Sequence, residues 1–247
     1  MELYEYERLD DLKRDGLFII QDTRGFCFGT DAVLLADFAS VSKNDTVLDF
    51  CTGSGIIPLL IYAKCKTAKI SGIEIINDVA AMAKRSVEYN KIGCIDILQG
   101  DLKDAAKIFG YEKFDLVTCN PPYEKVGSGA ESPKDVKAAA RHEIFCTLDD
   151  VIKNAFDVLK YGGKLCMVHR ANRLTDVFYT MRKYSIEPKR LRLIAPAEGK
   201  EPNLFLVEGA KGGGPFMKIM PTLYVYGKDG EYSGEILRIY ERGKQEQ

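Results

Sequence analysis

From residue 46 onward the chain alternates short apolar runs with longer amphipathic stretches, and this rhythm leaves few folds open. Thr46–Phe50, Lys69–Glu74, Ile95–Gln99, Phe114–Cys119 and Lys164–His169 are short apolar runs bounded by turn residues, as in strands buried on both faces. The segments after them, Gly55–Lys64, Asn77–Tyr89, Leu102–Phe109, Thr147–Leu159 and Leu174–Tyr184, carry helical patterning. Ser54, Asn77 and Thr147 stand where N-caps are expected. Gly162-Gly163 stands where the helix beginning at Thr147 is expected to stop. Five β-α units in succession predict an α/β domain, a parallel sheet wrapped by helices on both faces. Arg190–Ala195 and Leu204–Glu208 predict a closing strand pair. Leu223–Tyr226 and Ile236–Tyr240, around a Lys228-Asp229-Gly230 turn, predict a small terminal hairpin.

Ligands of such folds bind beyond the carboxyl ends of the strands. Here those ends carry Asp49, Glu74, Asp101 and Asn120. Asp49-Phe50-Cys51-Thr52-Gly53-Ser54-Gly55 follows the first of these strands and opens a helix. Gly53 and Gly55 allow a ligand close to the backbone. Pro58 is tolerated in the first helical turn, where backbone N–H groups are unpaired. It also stands where the dinucleotide fingerprint requires a third glycine, which counts against a nicotinamide or flavin site. Glu74, ending the second strand, has the position of a carboxylate that binds both ribose hydroxyls. Asp101 has two readings, an acceptor for an adenine amino group or a cap for the helix that follows.

Asn120-Pro121-Pro122-Tyr123 closes the fourth strand. Both prolines fix φ and restrict the residue before them. Asn120 and Pro121 are thereby held extended, with the Asn120 amide and the Pro121 carbonyl able to point the same way. Two acceptors beside an aromatic ring suit an exocyclic amino group on a flat ring. Its two N–H bonds are received, the ring stacks on Tyr123, and the nitrogen lone pair becomes available to an electrophile.

Composition closes off other classes. The seven cysteines are dispersed, with no CxxC, which argues against a disulfide framework or a zinc site and fits a reducing cytoplasm. His142 and His169 cannot build a HExxH metal site. No apolar run of 18 residues predicts a membrane span, and the acidic start MELYEYERLDD is unlike a signal peptide. The net charge is −1, but residues 131–220 carry 16 basic and 11 acidic groups. Lys189, Arg190 and Arg192 cluster within that mildly basic part, which suits RNA or an ordinary solvated surface. The segment 124–140, rich in Gly, Ser, Lys and Ala, predicts a lid over substrate or a plain connector.

Asp-x-Cys-x-Gly-x-Gly, the acids ending strands two and three, and Asn-Pro-Pro-Tyr together resemble the class I S-adenosylmethionine-dependent methyltransferases, specifically those that methylate amino groups. Phe26-Cys27-Phe28-Gly29-Thr30-Asp31-Ala32-Val33-Leu34-Leu35 resembles their helix-opening segment, which closes over the methionine end of the cofactor. With Ala140-Arg141-His142-Glu143 and Gly199-Lys200-Glu201-Pro202-Asn203, the chain from end to end resembles the bacterial tRNA1(Val) adenine-37 N6-methyltransferase family.

The resemblance implies a Rossmann-like, mostly parallel seven-stranded sheet with its last strand antiparallel. It implies a single methyltransferase domain over residues 1–247: an N-terminal cofactor-closing segment (1–45), a core (46–210) and a C-terminal extension (211–247). The implied cofactor is S-adenosyl-L-methionine, held by Phe28, Gly29, Thr30, Asp31, Asp49, Cys51, Thr52, Gly53, Gly55, Glu74, Ile75, Asp101, Leu102 and Asn120. The implied catalytic group is Asn120, Pro121, Pro122 and Tyr123. The partner is tRNA, most directly adenine 37 of a valine tRNA anticodon loop, contacted by Arg141, Arg170, Arg173, Lys189, Arg190 and Arg192. No metal is expected, because the leaving group is a neutral thioether. A cytoplasmic monomer or weak dimer is expected. Guanine-N2 methylation of ribosomal RNA uses related turns, more often with Phe at position 123. Protein-glutamine N5-methyltransferases share the motif but carry a helical domain before the core, for which 48 residues before Asp49 are too few. A catalytically idle RNA-binding module is the remaining alternative, and the intact Asn120–Tyr123 run speaks against it.

Overall fold

The computed structural model describes residues 2–25, 27–121 and 146–241. An antiparallel hairpin comes first, β1 (Glu7–Asp11) with β2 (Phe18–Asp22), followed by α1 (Thr30–Phe38). The alternation read from sequence then runs β3 (Thr46–Phe50), α2 (Ile56–Lys64), β4 (Lys69–Glu74), α3 (Asn77–Tyr89), β5 (Ile95–Gln99), a 3-10 turn (Leu102–Asp104), α4 (Ala105–Phe109) and β6 (Phe114–Cys119). Beyond the segment 122–145, which lies outside the described residues, come α5 (Leu148–Val158), β7 (Leu159–Arg170) and α6 (Leu174–Lys183). The chain closes with β8 (Ile186–Ala195), β9 (Leu204–Lys211), the short β10 (Lys218–Ile219) and β11 (Leu223–Tyr224), and α7 (Gly234–Glu241).

Seven strands form the body of the sheet, in the order β5-β4-β3-β6-β7-β9-β8. β3, β4, β5, β6 and β7 pair in parallel, and β9 runs antiparallel to both its neighbours. The expected sheet is therefore present, extended at one edge by β10 and β11, which pair in parallel with β8. Alternate strand residues feed two cores. Val47, Ile70, Leu116 and Val168 meet α1, α2, α3 and α7 on one face. Leu48, Ile73, Val117 and Met167 meet α4, α5 and α6 on the other. Strand order reverses at β3, between β4 and β6, and the chain leaves those strands to opposite sides there, opening a crevice at their carboxyl ends.

Four local expectations are corrected. Ser54 does not cap α2; Gly55 is the capping residue, at φ +85°, a left-handed conformation that glycine adopts without cost. Asn77 is the first helical residue of α3 rather than its cap, and the N–H of Ile76 is taken by Glu74 Oε1 at 3.0 Å. Gly162-Gly163 does not end α5. The helix stops at Leu159, and the glycines bulge within β7, where pairing with β6 jumps from Phe114↔Leu159 to Leu116↔Lys164. Ile236–Tyr240 belongs to α7, not to a hairpin strand: Ile236 and Ile239 turn into the core at helical spacing. The turn around Lys228–Gly230 is present, closed by a bridge between Tyr226 and Tyr232. Thr147 does cap α5, in a capping box with Asp150.

The C-terminal extension is fastened to the body. Arg192 pairs with both carboxylate oxygens of Glu235 at 2.8 and 2.9 Å. The rings of Tyr226, Tyr232 and Tyr240 stack nearly parallel, and the Tyr240 hydroxyl lies 3.3 Å from Thr30 Oγ1 at the start of α1.

Candidate functional site

Asp49 sits inside β3 with no solvent exposure. Two hydroxyls meet its carboxylate, Thr118 Oγ1 at 2.6 Å and Thr52 Oγ1 at 2.7 Å. Thr118 reaches it because β6 pairs beside β3 with Thr118 opposite Asp49. Burial pushes the Asp49 carboxyl up to about 7; the two hydroxyls pull it down, and the negative charge of Glu74 adds to the rise.

The loop after β3 turns sharply. Cys51 and Gly53 take positive φ, +54° and +56°. A side chain at Gly53 would stand in open space, so the backbone there can be approached closely. Beside it, the buried Glu74 at the end of β4 uses one oxygen for the Gly53 N–H and the other for the Ile76 N–H, each at 3.0 Å. One carboxylate thus ties the glycine loop to the strand end next to it. The Cys51 thiol lies in hydrogen-bonding contact with those of Cys119 and Cys146; the Cys119 contact, with burial, pushes it well above the usual thiol range, and the Cys146 contact works against that rise. Ile75 follows Glu74 and offers its carbonyl to Gln99 Nε2 at 3.1 Å. Asp101, after β5, caps the 3-10 turn through the Lys103 N–H at 2.9 Å, and Leu102 behind it is buried. Of the two sequence readings for Asp101, the structure shows the cap.

Asn120 ends β6, and Pro121 follows it. Across the crevice, the segment before the sheet brings Phe28, Gly29, Thr30 and Asp31 to the start of α1. The Phe28 N–H is held by Gln21 Oε1 at 2.9 Å. Asn120 Nδ2 donates to Asp31 Oδ2 at 3.1 Å, joining residues 89 apart in sequence. The structure therefore gathers Gly29, Thr30, Asp31, Asp49, Cys51, Thr52, Gly53, Glu74 and Asn120 at the strand ends. Phe26, Pro122, Tyr123, Arg141, His142 and the expected lid, 124–140, lie outside the described residues.

The expected basic cluster is divided. Arg170 and Arg173 stand at the carboxyl end of β7, on the side of the sheet's edge where Asn120 lies, with Arg173 also paired to Asp176 at 2.6 Å. Lys189 instead binds the carbonyls of Gly214, Pro215 and Phe216 at 2.7–3.0 Å. Arg190 binds Ser40 and the Phe38 carbonyl at the end of α1, and Arg192 binds Glu235. Those three side chains serve the protein's own acceptors.

Sequence reasoning did not single out Thr118, His169 or the Asp31–Asn120 contact. A threonine among the buried apolar residues Leu116, Val117 and Cys119 was the available signal for Thr118. His169 lies on β7 against Phe205, is 5% exposed and is held down to about 4, chiefly by burial and then by the nearby charges of Arg173 and Arg170. It is neutral at physiological pH and is no cation there.

Residues 25–184 match the family model of the methyltransferase small domain. Over 225 residues, 86% of each chain, the sequence is 30% identical to the tRNA1(Val) (adenine(37)-N6)-methyltransferase of Porphyromonas gingivalis. The chain belongs to the tRNA1(Val) (adenine(37)-N6)-methyltransferase family. A member from Shewanella halifaxensis is 29% identical over 194 residues, 76% of each chain. Among solved structures, a predicted O-methyltransferase from Agrobacterium tumefaciens superimposes with a TM-score of 0.70 at 20% identity, covering 87% of this chain and 96% of that one. That likeness supports the class I methyltransferase fold. Membership of the family agrees with the geometry already described: a strained glycine loop, an acid at the next strand end, and an Asn-Pro turn one strand away. Among the described residues, no helix is long and apolar enough to cross a membrane, and no three His, Cys, Asp or Glu side chains are grouped to hold a metal ion.

Proposed function

We propose that this protein transfers the methyl group of S-adenosyl-L-methionine to N6 of adenine 37 in a valine tRNA, with the Asn120 turn as the catalytic element. The observation that carries this reading is the position of Asn120: it closes β6, next to β3, in the same crevice as Gly53 and Glu74. Family membership supplies the substrate class.

The residues fit the cofactor. The open space over Gly53 admits a ligand against the backbone, and the fixed Glu74 carboxylate suits ribose hydroxyls, since each of its oxygens has a second lone pair. Asp49, Cys51, Thr52 and Gly55 shape the floor of that pocket, and Phe28, Gly29 and Thr30 its far wall. Ile75, Asp101 and Leu102 border the adenine end. When bound, the cofactor supplies an electrophilic methyl group on a sulfonium, with a neutral thioether as leaving group.

The protein's own task is positioning and electrostatics. The Asn120 side-chain oxygen and the Pro121 carbonyl accept the two N6 hydrogens and hold the lone pair toward the methyl group. Pro122 keeps the turn stiff, and Tyr123 stacks on the base, worth about 1–3 kcal/mol. An anticodon-loop base leaves its stack at small cost. The methylated nitrogen is acidic and releases its proton without a dedicated base, so a neutral, buried His169 is no obstacle. Arg141, Arg170 and Arg173 are proposed as phosphate contacts.

The test is labelled methyl transfer to total tRNA, total ribosomal RNA and a release factor. Label in tRNA as N6-methyladenosine is expected. Label confined to ribosomal RNA or to the release factor would replace this reading with guanine-N2 or glutamine-N5 methylation.

A further inference from the structure

Asp31 was expected at the methionine end of the cofactor, yet its carboxylate faces the Asn120 amide. Oδ1 of Asp31 accepts the Ala32 N–H at 2.9 Å, in the first turn of α1, and Oδ2 accepts Asn120 Nδ2 at 3.1 Å. The first turn of a helix has unpaired N–H groups and favours negative charge, so the carboxylate is well placed there. It folds back over Gly29, where a Cβ would stand 2.8 Å from Oδ1. Any residue but glycine would push it out of place. α1 is itself immobilised, with Ala32, Val33, Leu34 and Leu35 buried in the core and the Tyr240 hydroxyl beside Thr30.

An asparagine amide carries two donors at one end and an acceptor at the other, and the two ends have nearly the same shape. Packing alone does not choose between them. An ionised carboxylate does, because it only accepts. With Asp31 opposite, the Nδ2 end must face it, and Oδ1 lies at the opposite edge of the planar amide. A flipped amide would set its NH2 group against the N–H bond of the target amine that Oδ1 should receive.

We propose that Asp31 is a positioning residue that fixes the orientation of the Asn120 amide, so that Oδ1 is the acceptor presented to the substrate amino group. This rests on the methyl-transfer reading above. It also gives Gly29 a purpose: its missing side chain makes room for the carboxylate.

Asp31→Asn tests this with little change of shape. The new side chain still offers one oxygen to the Ala32 N–H, but places an NH2 group opposite Asn120, whose amide then turns to present Oδ1 to it. Turnover on tRNA should fall roughly 10- to 100-fold, as for loss of one hydrogen bond to a charged partner. KM for tRNA and affinity for S-adenosylhomocysteine should stay within about twofold, which distinguishes orientation from binding. In Asn120→Ala, adding Asp31→Asn should cost nothing more, because Asp31 acts through Asn120. The side-chain 15N–1H pair of Asn120, identified by its absence in Asn120→Asp, should shift in Asp31→Asn with neither cofactor nor RNA present. An unchanged pair, full turnover, or a loss confined to cofactor affinity would each overturn the positioning role. Absence of any methyl transfer by the unaltered protein would instead overturn the reading of the reaction, and the amide signal still decides the contact.

Discussion

Replacing Glu74 with glutamine separates the account of the pocket from a general loss of structure. The carboxylate is 5% exposed and binds two backbone N–H groups, of Gly53 and Ile76, each at 3.0 Å. Glutamine keeps one acceptor oxygen for one of them and sets an NH2 group against the other, leaving a buried donor facing a donor. A hydrogen bond to a charged group contributes about 1.5–3 kcal/mol, so Glu74→Gln should lose about 2 kcal/mol of stability and Glu74→Ala about 3–5 kcal/mol. Cofactor affinity should fall in parallel, because ribose hydroxyls donate to the same oxygens. Loss of a charged acceptor there should weaken binding about 10- to 100-fold, at 1.4 kcal/mol for each tenfold. Urea unfolding without ligand measures the first effect, and calorimetric titration with S-adenosylhomocysteine measures the second. A Glu74→Gln protein that binds as tightly as the original would refute the ribose assignment. Unchanged stability would refute the claim that this carboxylate holds the glycine loop.

Asn120→Ala should abolish turnover, by about 100-fold or more, with cofactor affinity nearly unchanged, since the acceptor matters most as the nitrogen becomes tetrahedral; single-turnover assays and calorimetry check both halves. Asp49, pushed up to about 7, favours the folded state below its unfolded value of 3.8 and loses that contribution as pH rises to about 7, whereas His169, held down to about 4, contributes fully above 6.5 and loses it as pH falls. The two oppose each other, so Asp49→Asn should expose the histidine: its stability should fall relative to the original protein by about 3 kcal/mol between pH 6.5 and 4, and urea curves that stay parallel across that range would show that Asp49 ionises normally. Arg192→Ala should lower stability through loss of the Glu235 pair, by about 1–3 kcal/mol, while leaving the salt dependence of tRNA binding unchanged; Arg170→Ala should reduce that salt slope instead, measured by filter binding at several salt concentrations.

The architecture was legible because strands buried on both faces and helices buried on one leave different patterns, and they alternate from residue 46 with only segment 124–140 breaking the rhythm. The polar strand-end residues were legible for the same reason: Asp49, Glu74 and Asn120 fall at or beside the carboxyl ends of strands. What escaped was decided by partners distant in sequence. The N-terminus of α3 is served by Glu74, which takes the Ile76 N–H, so Asn77 has no capping task. The bulge at Gly162-Gly163 exists only because β7 must align with β6. Ile236–Tyr240 has a short pattern compatible with strand or helix, and its contact with α1 settles it. The charges of Lys189, Arg190 and Arg192 read as a surface cluster, yet the ends of other elements receive them. Gly29-Thr30-Asp31 was legible as a motif, but its bond to Asn120 required the fold that brings α1 beside β6.

The most direct test of the central claim uses two valine tRNA transcripts, one with adenine and one with guanine at position 37, incubated with the protein and methyl-labelled S-adenosylmethionine. Nucleoside analysis should recover the label as N6-methyladenosine from the first and none from the second. Equal labelling of both, or label recovered as N2-methylguanosine, would contradict it.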